Sequence, residues 1–527
     1  MSARSHKAGL LVAVTLSGMA VLIIEILATR MLAPFFGNSI FTLSSVLGIV
    51  LAALGIGYYL GGRLADRRPS AAWFFALIVV AGFAVLLLQL LNATLLPGIA
   101  YRLSLVNGPL VVSLLMFFLP ALFLAMLSPF AIALLHAREP GLGVGHAAGL
   151  VFFWSTLGSI AGSLGTGFLL VPHWGIGGIV VGVGAGLALL GGAGLLLTRN
   201  VPRSLPVGLA LLAIACGAAL RHIPAGEGRG VVYAADGLYE RIVIRDLPLR
   251  GRTARVLLQD RNVSGGLYLD DGSMAFDYTR YYELYRLFTP ELKAALAIGG
   301  GAYNVPAALL RGAPRAMVDV AEIDPSLHAL ALRYFALPDD ARLRNHVIDG
   351  RRFLHDSAER YDLVFADAYR AFVSMPAQFA SREFFSLARS RLRDNGVLIA
   401  NYYGSLAPDS RAMLYSMFRT MRAAFPQVYV IATVDPQSEE LQNFIFIGHN
   451  ASPAERRVDL REAATVAFAH PRLKEVAALE LRPADALLAS HAVLTDDFAP
   501  VEYYAANAIR RYDATGRRAA SSRSRIP

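Results

Sequence analysis

Apolar positions give the two parts of this chain different patterns. Up to residue 220 they come in long runs: 9–28, 41–60, 72–95, 110–135, 147–171, 176–197 and 205–220. A helix needs about 20 apolar residues to cross a bilayer, within a range of roughly 17–25. The first six runs reach that length, and the seventh, with 16 residues, stands at its edge. The first run contains Glu25, is followed by Arg30, and has no small-residue cleavage site before the next run. It therefore reads as a span and not as a secretory signal.

Beyond residue 220 the apolar runs are short and separated by polar turns. Segments 241–245 and 254–258 have strand character, and Asp270-Asp271-Gly272 supplies a turn. Segment 278–289 reads as a helix. Strands and helices then alternate: strand 294–298, helix from 305, strand 315–323, helix 325–334, strand 346–350 and strand 361–366. Ser381 can cap a helix running to 393, with Glu383 in the first turn where the helix dipole favours an acid. Asn395-Gly396 turns into strand 397–401, and Met413, Leu414, Met417, Phe418 and Met421 mark a helix face. Segments 428–434 and 443–448 close the pattern as strands. Such alternation predicts a mostly parallel sheet with helices on both faces, whose ligands lie beyond the carboxyl ends of the strands.

Charge supports the division. Hydrophobic residues are 55% of the 527 and charged residues only 17%, too apolar for a wholly soluble chain. Residues 1–220 hold ten basic and three acidic residues, leaving 39 basic and 36 acidic for the remainder. Most of the net +10 is thus loop charge of the apolar half and no signature of nucleic-acid binding. The amino terminus and alternate loops carry Arg4, Lys7, Arg63, Arg67, Arg68, Arg138, Arg199 and Arg203, whereas the other loops carry Arg30 and Arg102. This predicts a cytoplasmic amino terminus. Seven crossings would then put residues 221–527 outside, against the supply of any nucleoside cofactor. A single cysteine, Cys216, excludes a disulfide framework and a cysteine-based metal site. Glu25, an acid within a span, is a candidate for transport chemistry or a carboxyl paired with a neighbouring helix. The segment 61–68 resembles a loop of major-facilitator carriers, and a plain positive-inside loop explains it equally.

The chemistry collects at strand ends. Gly299, Gly300 and Gly301 follow a strand and open a helix, the context of a nucleotide-binding turn. Glu322 follows Gly301 by 21 residues, where an acid can accept both hydroxyls of a ribose. Asp349-Gly350 and Asp367 end two further strands. Asn304 and Pro306 break a full G-x-G-x-x-G pattern, which favours a nucleoside without phosphates, such as S-adenosylmethionine or a relative of it.

From Tyr239 to Asn401 these residues resemble the spermidine synthase (polyamine aminopropyltransferase) family. Asp277-Tyr-Thr-Arg-Tyr281-Tyr282-Glu283 resembles its D-E-F-x-Y-[HQ]-E segment, and Ala297-Ile-Gly-Gly-Gly301 its I-G-G-G-D-G turn. Ala321-Glu322-Ile-Asp324 resembles V-E-I-D, Asp349-Gly350 resembles D-[AG], and 361–367 resembles Y-D-V-I-x-D. Apolar spans before such a domain, with 494–502 at its end, look like the membrane-fused spermidine synthase-like proteins of bacteria.

The resemblance implies an α-helical transmembrane bundle fused to an α/β Rossmann-like domain of S-adenosylmethionine methyltransferase type, with a small N-terminal β-region. The expected bounds are 1–220 for the bundle, 221–280 for the β-region, 281–505 for the Rossmann-like domain, and 506–527 for a disordered tail. It implies Asp367 as the catalytic base, Gly299, Gly300, Gly301, Glu322, Asp349 and Gly350 as cosubstrate-binding residues, and Glu240, Tyr281 and Tyr282 as substrate-binding residues. The cosubstrate would be decarboxylated S-adenosylmethionine, or S-adenosylmethionine itself, with no tightly bound cofactor and no metal. The partners would be a small amine and the lipid bilayer of a bacterial inner membrane, with the soluble domain cytoplasmic. Three departures bear on the substrate. The family's turn Asp is Ala302, its His or Gln after the channel Tyr is Tyr282, and the second Asp of its D-x-x-D is Arg370. Asp496, Asp497 and Glu502 could restore negative charge. A methyltransferase on the same fold, and a polyamine transporter with a sensing domain, remain open alternatives.

Overall fold

The computed structural model describes residues 3–139, 141–198, 201–221, 230–260, 262–367, 375–454, 456–508 and 510. By compactness the chain divides into two units, Met1–Gly228 and Arg229–Pro527.

The first unit is helical: α1 Ala3–Phe36, α2 Ile40–Arg67, α3 Ala71–Thr94, α4 Gly108–Ala125, α5 Leu127–Arg138, α6 Val144–Gly165, α7 Ile176–Leu196 and α8 Ser204–Arg221. Ser39 and Ser70 cap α2 and α3 through backbone N–H groups of Thr42 and Ala72. Seven helical stretches are long and apolar enough to cross a membrane, with α4 and α5 counted as one. The run 110–135, read as one helix, is broken at Met126 because Pro129 has no N–H to offer the Ala125 carbonyl. The run 147–171 likewise passes through a π-helical turn, Thr166–Leu170, just before Pro172.

Glycines decide how closely these helices pack. A Cβ on Gly158 of α6 would stand 1.9 Å from the Thr15 carbonyl oxygen of α1, and one on Gly162 would stand 2.5 Å from that of Met19. The backbones touch there, and the Ser159 hydroxyl donates to the Gly18 carbonyl at 3.1 Å. Small residues at such crossings are how helices associate where no hydrophobic force separates protein from lipid.

The second unit contains two sheets. Strands β1 Val231–Asp236, β2 Arg241–Leu249, β3 Arg252–Gln259 and β4 Asn262–Tyr268 form an antiparallel meander. The larger sheet uses β5 Ala294–Ile298, β6 Met317–Glu322, β7 Leu343–Val347, β8 Tyr361–Ala366, β9 Leu392–Gly404, β10 Gln427–Ala432 and β11 Gln442–His449, in the order β10-β11-β9-β8-β5-β6-β7. Strands β5 to β9 run parallel, and β11 is antiparallel to both β9 and β10. The helices used below are α9 Asn304–Gly312, α10 Leu327–Tyr334, α11 Gly350–Asp356, α12 Arg382–Ser390 and α13 Ala412–Ala424. Ser381 caps α12 by accepting the Phe384 N–H, as the sequence predicts.

Alternation along the central strands shows why they read as continuous apolar runs. Ala295 and Ala297 of β5 enter one core, with Leu363 and Phe365 of β8 and Val397 and Ile399 of β9. Leu296 and Ile298, with Val364, Ala366, Leu398 and Ala400, enter the core on the opposite face. Both faces are covered, so neither can be polar. The chain winds outward from β5 through β6 to β7, then returns to β8 on β5's other side. That reversal opens a crevice between the carboxyl ends of β5 and β8, where Ile298 pairs with Ala366.

Candidate active site

The crevice is lined by the ends of four parallel strands and by the small sheet. Beyond β5, Gly299 (φ +85°) and Gly301 (φ +51°) turn the chain, and Tyr303 (φ +54°) starts α9. A Cβ on Gly301 would stand 2.4 Å from the Ser264 carbonyl oxygen of β4. The turn and the small sheet are therefore in backbone contact, tied further by Ala302 N–H to Ser264 O at 3.0 Å and Gly266 N–H to Asn304 Oδ1 at 2.8 Å. Pro306 falls in the first turn of α9, where a missing N–H costs nothing.

At the end of β6, Glu322 accepts the Gly300 N–H at 2.7 Å through Oε2 and the Asp324 N–H at 2.9 Å through Oε1. Burial pushes its carboxyl above the ordinary range, against the pull of those N–H groups. Asp349 caps α11, accepting the N–H groups of Arg351 and Arg352, both at 3.0 Å. Gly350 packs so closely on β5 that a Cβ would stand 2.3 Å from Ile298 Cγ2.

Asp367 follows β8, and its N–H is held by the Ile298 carbonyl at 3.1 Å. Its carboxylate accepts the Asn401 amide at 3.0 Å, and the Tyr278 hydroxyl donates to it. The Asn443 amide donates to Asn401 Oδ1 at 2.9 Å, so a hydrogen-bonded row crosses β11, β9 and β8 to the acid. Burial raises the Asp367 carboxyl above the ordinary range, and the Asn401 and Tyr278 donors offset part of that. Burial, with the Asp367 charge beside it, raises the Tyr278 hydroxyl.

One cavity of about 420 Å³ gathers most of the residues expected from the sequence: Glu240, Gly299, Gly300, Gly301, Glu322, Asp349, Gly350 and Asp367. Ala302 and Asp324 also line it. Five of its lining residues are carboxylic acids (Glu240, Glu322, Asp324, Asp349 and Asp367), and no described lining residue is Lys, Arg or His.

Tyr281 and Tyr282 correct the expectation, because neither is among the residues lining the cavity. Both are buried in the core, at 3% and 6% exposure. The Tyr281 hydroxyl reaches the Thr433 carbonyl at 3.5 Å, and burial pushes it up to about 12. Tyr282 stacks on Tyr285. The aromatic residue that reaches the acid is Tyr278. The segment expected to be an α-helix from 278 begins as a 3-10 helix, Asp277–Leu284. Tyr278 and Tyr281 then share one face about 6 Å apart along the axis. Asn401 and Asn443 were also missed; a lone amide at the end of one apolar strand and at the start of another was their only signal. Asp496 forms an ion pair with Arg351 at 2.5 Å. Neither it, Asp497 nor Glu502 lines the cavity. Arg370 and the tail from 511 lie outside the described residues.

Residues 283–457 match the family model described as the spermine/spermidine synthase domain. This part of the chain is spermidine synthase-like. A polyamine aminopropyltransferase of Vibrio vulnificus is 29% identical over 208 residues, 38% of this chain. The match spans 66% of that protein's length, just under two thirds. Polyamine aminopropyltransferase 2 of Aquifex aeolicus is 23% identical over 442 residues, covering 79% of this chain and 84% of its own. That match is too long to fit within the second unit, so it extends into the apolar half. Among solved structures, a probable spermidine synthase from Corynebacterium glutamicum aligns with a TM-score of 0.40 at 19% identity, covering 49% of this chain and 95% of its own.

Proposed function

We propose that the synthase domain transfers an aminopropyl group from decarboxylated S-adenosylmethionine to a small amine. The observation carrying this reading is the cavity's charge: five carboxylates and no described cationic side chain. Such a wall favours a sulfonium and an ammonium over an anion. In the reaction, the lone pair of a neutral amine attacks the carbon bonded to sulfur. The C–N bond forms, the C–S bond breaks, and its electrons stay on sulfur as a neutral thioether. The amine's extra proton passes to Asp367, whose raised affinity for protons suits a general base. Asn401 and Tyr278 hold that carboxylate by donating to it, and Glu322 and Asp349 with Gly350 would receive the ribose and adenine.

A second reading, methyl transfer from intact S-adenosylmethionine, draws on Ala302, whose small side chain leaves the cavity wall uncharged at that point. Titration of purified protein with both sulfonium compounds decides. Preference for the decarboxylated form is expected, and preference for the intact form would overturn the first reading. Asp367→Asn should abolish product formation by about 10²–10⁴-fold while nucleoside binding persists. Loss of binding with no separate loss of turnover would remove Asp367 from the chemistry.

The first unit serves in this reading as the anchor in a plasma membrane, with the synthase domain on the cytoplasmic side, where a nucleoside cosubstrate is made. Loop charges with seven crossings argue the other way. A reporter fused after residue 527 should signal from inside, and an external signal would overturn this placement.

A further inference from the structure

Tyr303 takes no part in the steps above, yet its backbone is unusual. It is left-handed, with φ +54° and ψ +24°. Glycine adopts that conformation freely, whereas a Cβ makes it costly. The turn I-G-G-G-D-G, which 298–303 resembles, has its last glycine at this position. The chain therefore keeps a large aromatic side chain where backbone geometry alone favours none. Strain of this kind persists only where the surroundings hold it.

Tyr303 is held from three sides. The residue is fully buried, and its N–H donates to the Gly300 carbonyl at 2.7 Å, closing the turn. Its hydroxyl donates to Asn345 Oδ1 of β7 at 2.6 Å. Burial, and then the charges of Glu322 and Asp324, raise that hydroxyl, so it stays a donor. Its ring lies beside His328 of α10, with 5.5 Å between centroids. Held in this way, the ring edge sits against Gly300: a Cβ there would stand 2.7 Å from Tyr303 Cζ and 3.0 Å from its hydroxyl oxygen. Tyr303 thus fills the side-chain position of Gly300 from outside. Gly300 lines the cavity and donates its N–H to Glu322 at 2.7 Å, whereas Tyr303 is not among the described lining residues.

We propose that Tyr303 is a positioning residue: its ring, pinned by Asn345, is a floor under Gly300 that keeps the turn's N–H on Glu322, so that a nucleoside meets a turn already formed. This inference rests on the nucleoside reading and adds to it a residue outside the cavity. A turn held in its binding shape spares the ligand the cost of ordering it. Losing the hold should weaken binding and leave the transfer step alone.

The test uses full-length protein in detergent. Affinity is measured with 5′-methylthioadenosine, the nucleoside left when the aminopropyl group departs, and hydrogen exchange of the 299–301 amides is read without it. Tyr303→Phe keeps the ring and removes its pin, and Asn345→Ala removes the other half of that bond. Each should weaken the nucleoside roughly two- to tenfold. The two together should weaken it no further than either alone, because they break one bond. Exchange at Gly300 should quicken in both, and kcat at saturating substrates should stay within about twofold of the wild type. Tyr303→Gly supplies the residue that a left-handed backbone prefers and removes the floor. It should weaken the nucleoside about tenfold or more. The proposal is overturned if Tyr303→Gly binds as tightly as the wild type, if Tyr303→Phe and Asn345→Ala alter neither exchange nor affinity, or if either lowers kcat while affinity holds. If the wild type does not bind 5′-methylthioadenosine, the nucleoside reading fails, and the exchange rates still decide whether Tyr303 holds the turn.

Discussion

Glycine does opposite work in the two units. At Gly158 and Gly162 it lets the backbones of α1 and α6 meet, so the space a side chain would take is filled by another part of the protein. At Gly299 and Gly301 it supplies the positive φ that bends the chain along a cavity, although the Ser264 carbonyl fills the side-chain position of Gly301 itself. Ser159 spends its hydroxyl on a neighbouring helix, whereas Asp324 keeps an oxygen unspent. The first unit is arranged to close on itself and the second to remain open at one place, so substitutions of one chemical type should have separable effects.

The largest expected effect is in the first unit. Gly158→Val would place side-chain atoms against the fixed Thr15 backbone, and overpacking of this kind costs about 1–3 kcal/mol or more. Thermal unfolding in detergent should show that loss, with nucleoside affinity of the synthase domain unchanged. A parallel fall in affinity would break the comparison. Gly301→Ala should do the reverse. A left-handed backbone at a residue with a side chain costs about 1–2 kcal/mol, and the Ser264 carbonyl obstructs the new methyl. Nucleoside affinity should drop by roughly tenfold, with α1 and α6 undisturbed by cysteine cross-linking across their interface.

The third effect is one of pH. Burial raises Asp367 and Glu322 above their unfolded values, so the folded domain holds protons more tightly than the unfolded chain. Their contribution to stability is fully present below the ordinary carboxylate range and is lost as pH rises through the folded values. Asp367→Asn should therefore raise the synthase domain's melting temperature by a few degrees at neutral pH, and by little at pH 3. Turnover of the wild type should fall on acidification at a pH above that of an exposed carboxylate. A rate profile flat down to pH 4 would contradict the role given to Asp367. The smallest effect is expected at Lys7, whose ammonium pairs with Glu139 at 2.8 Å in a partly exposed setting. Lys7→Ala should change stability by about 0–1 kcal/mol, a baseline for the other substitutions.

The central strands and the acids at their ends were legible because two covered faces force an apolar run and each run must stop at a polar turn. The helices of the first unit were legible for a similar reason, except where Pro129 divides one of them within an apolar stretch. Strand β4 was missed because Gly265 and Gly266 interrupt the apolar pattern of Asn262–Tyr268. In the structure Gly265, at φ +123°, is the point where the small sheet presses on Ala302 and Asn304. The tyrosine facing Asp367 was misplaced by one turn, since a sequence motif marks the helix face but not the depth at which that face meets the cavity. Asn401 and Asn443 gained meaning only through the pairing of β9 with β11, a neighbour relation that no local pattern encodes.

The row from Asn443 through Asn401 to Asp367 has a consequence for biosynthesis. Its members are separated by 34 and 42 residues along the chain. A ribosome delivers the acid first and the last amide much later, and non-local pairing of this kind is late to form. Until β11 has emerged and inserted beside β9, Asp367 lacks the full row that fixes its direction. The emerging chain should therefore gain its chemistry as a late step, after the synthase sheet is complete.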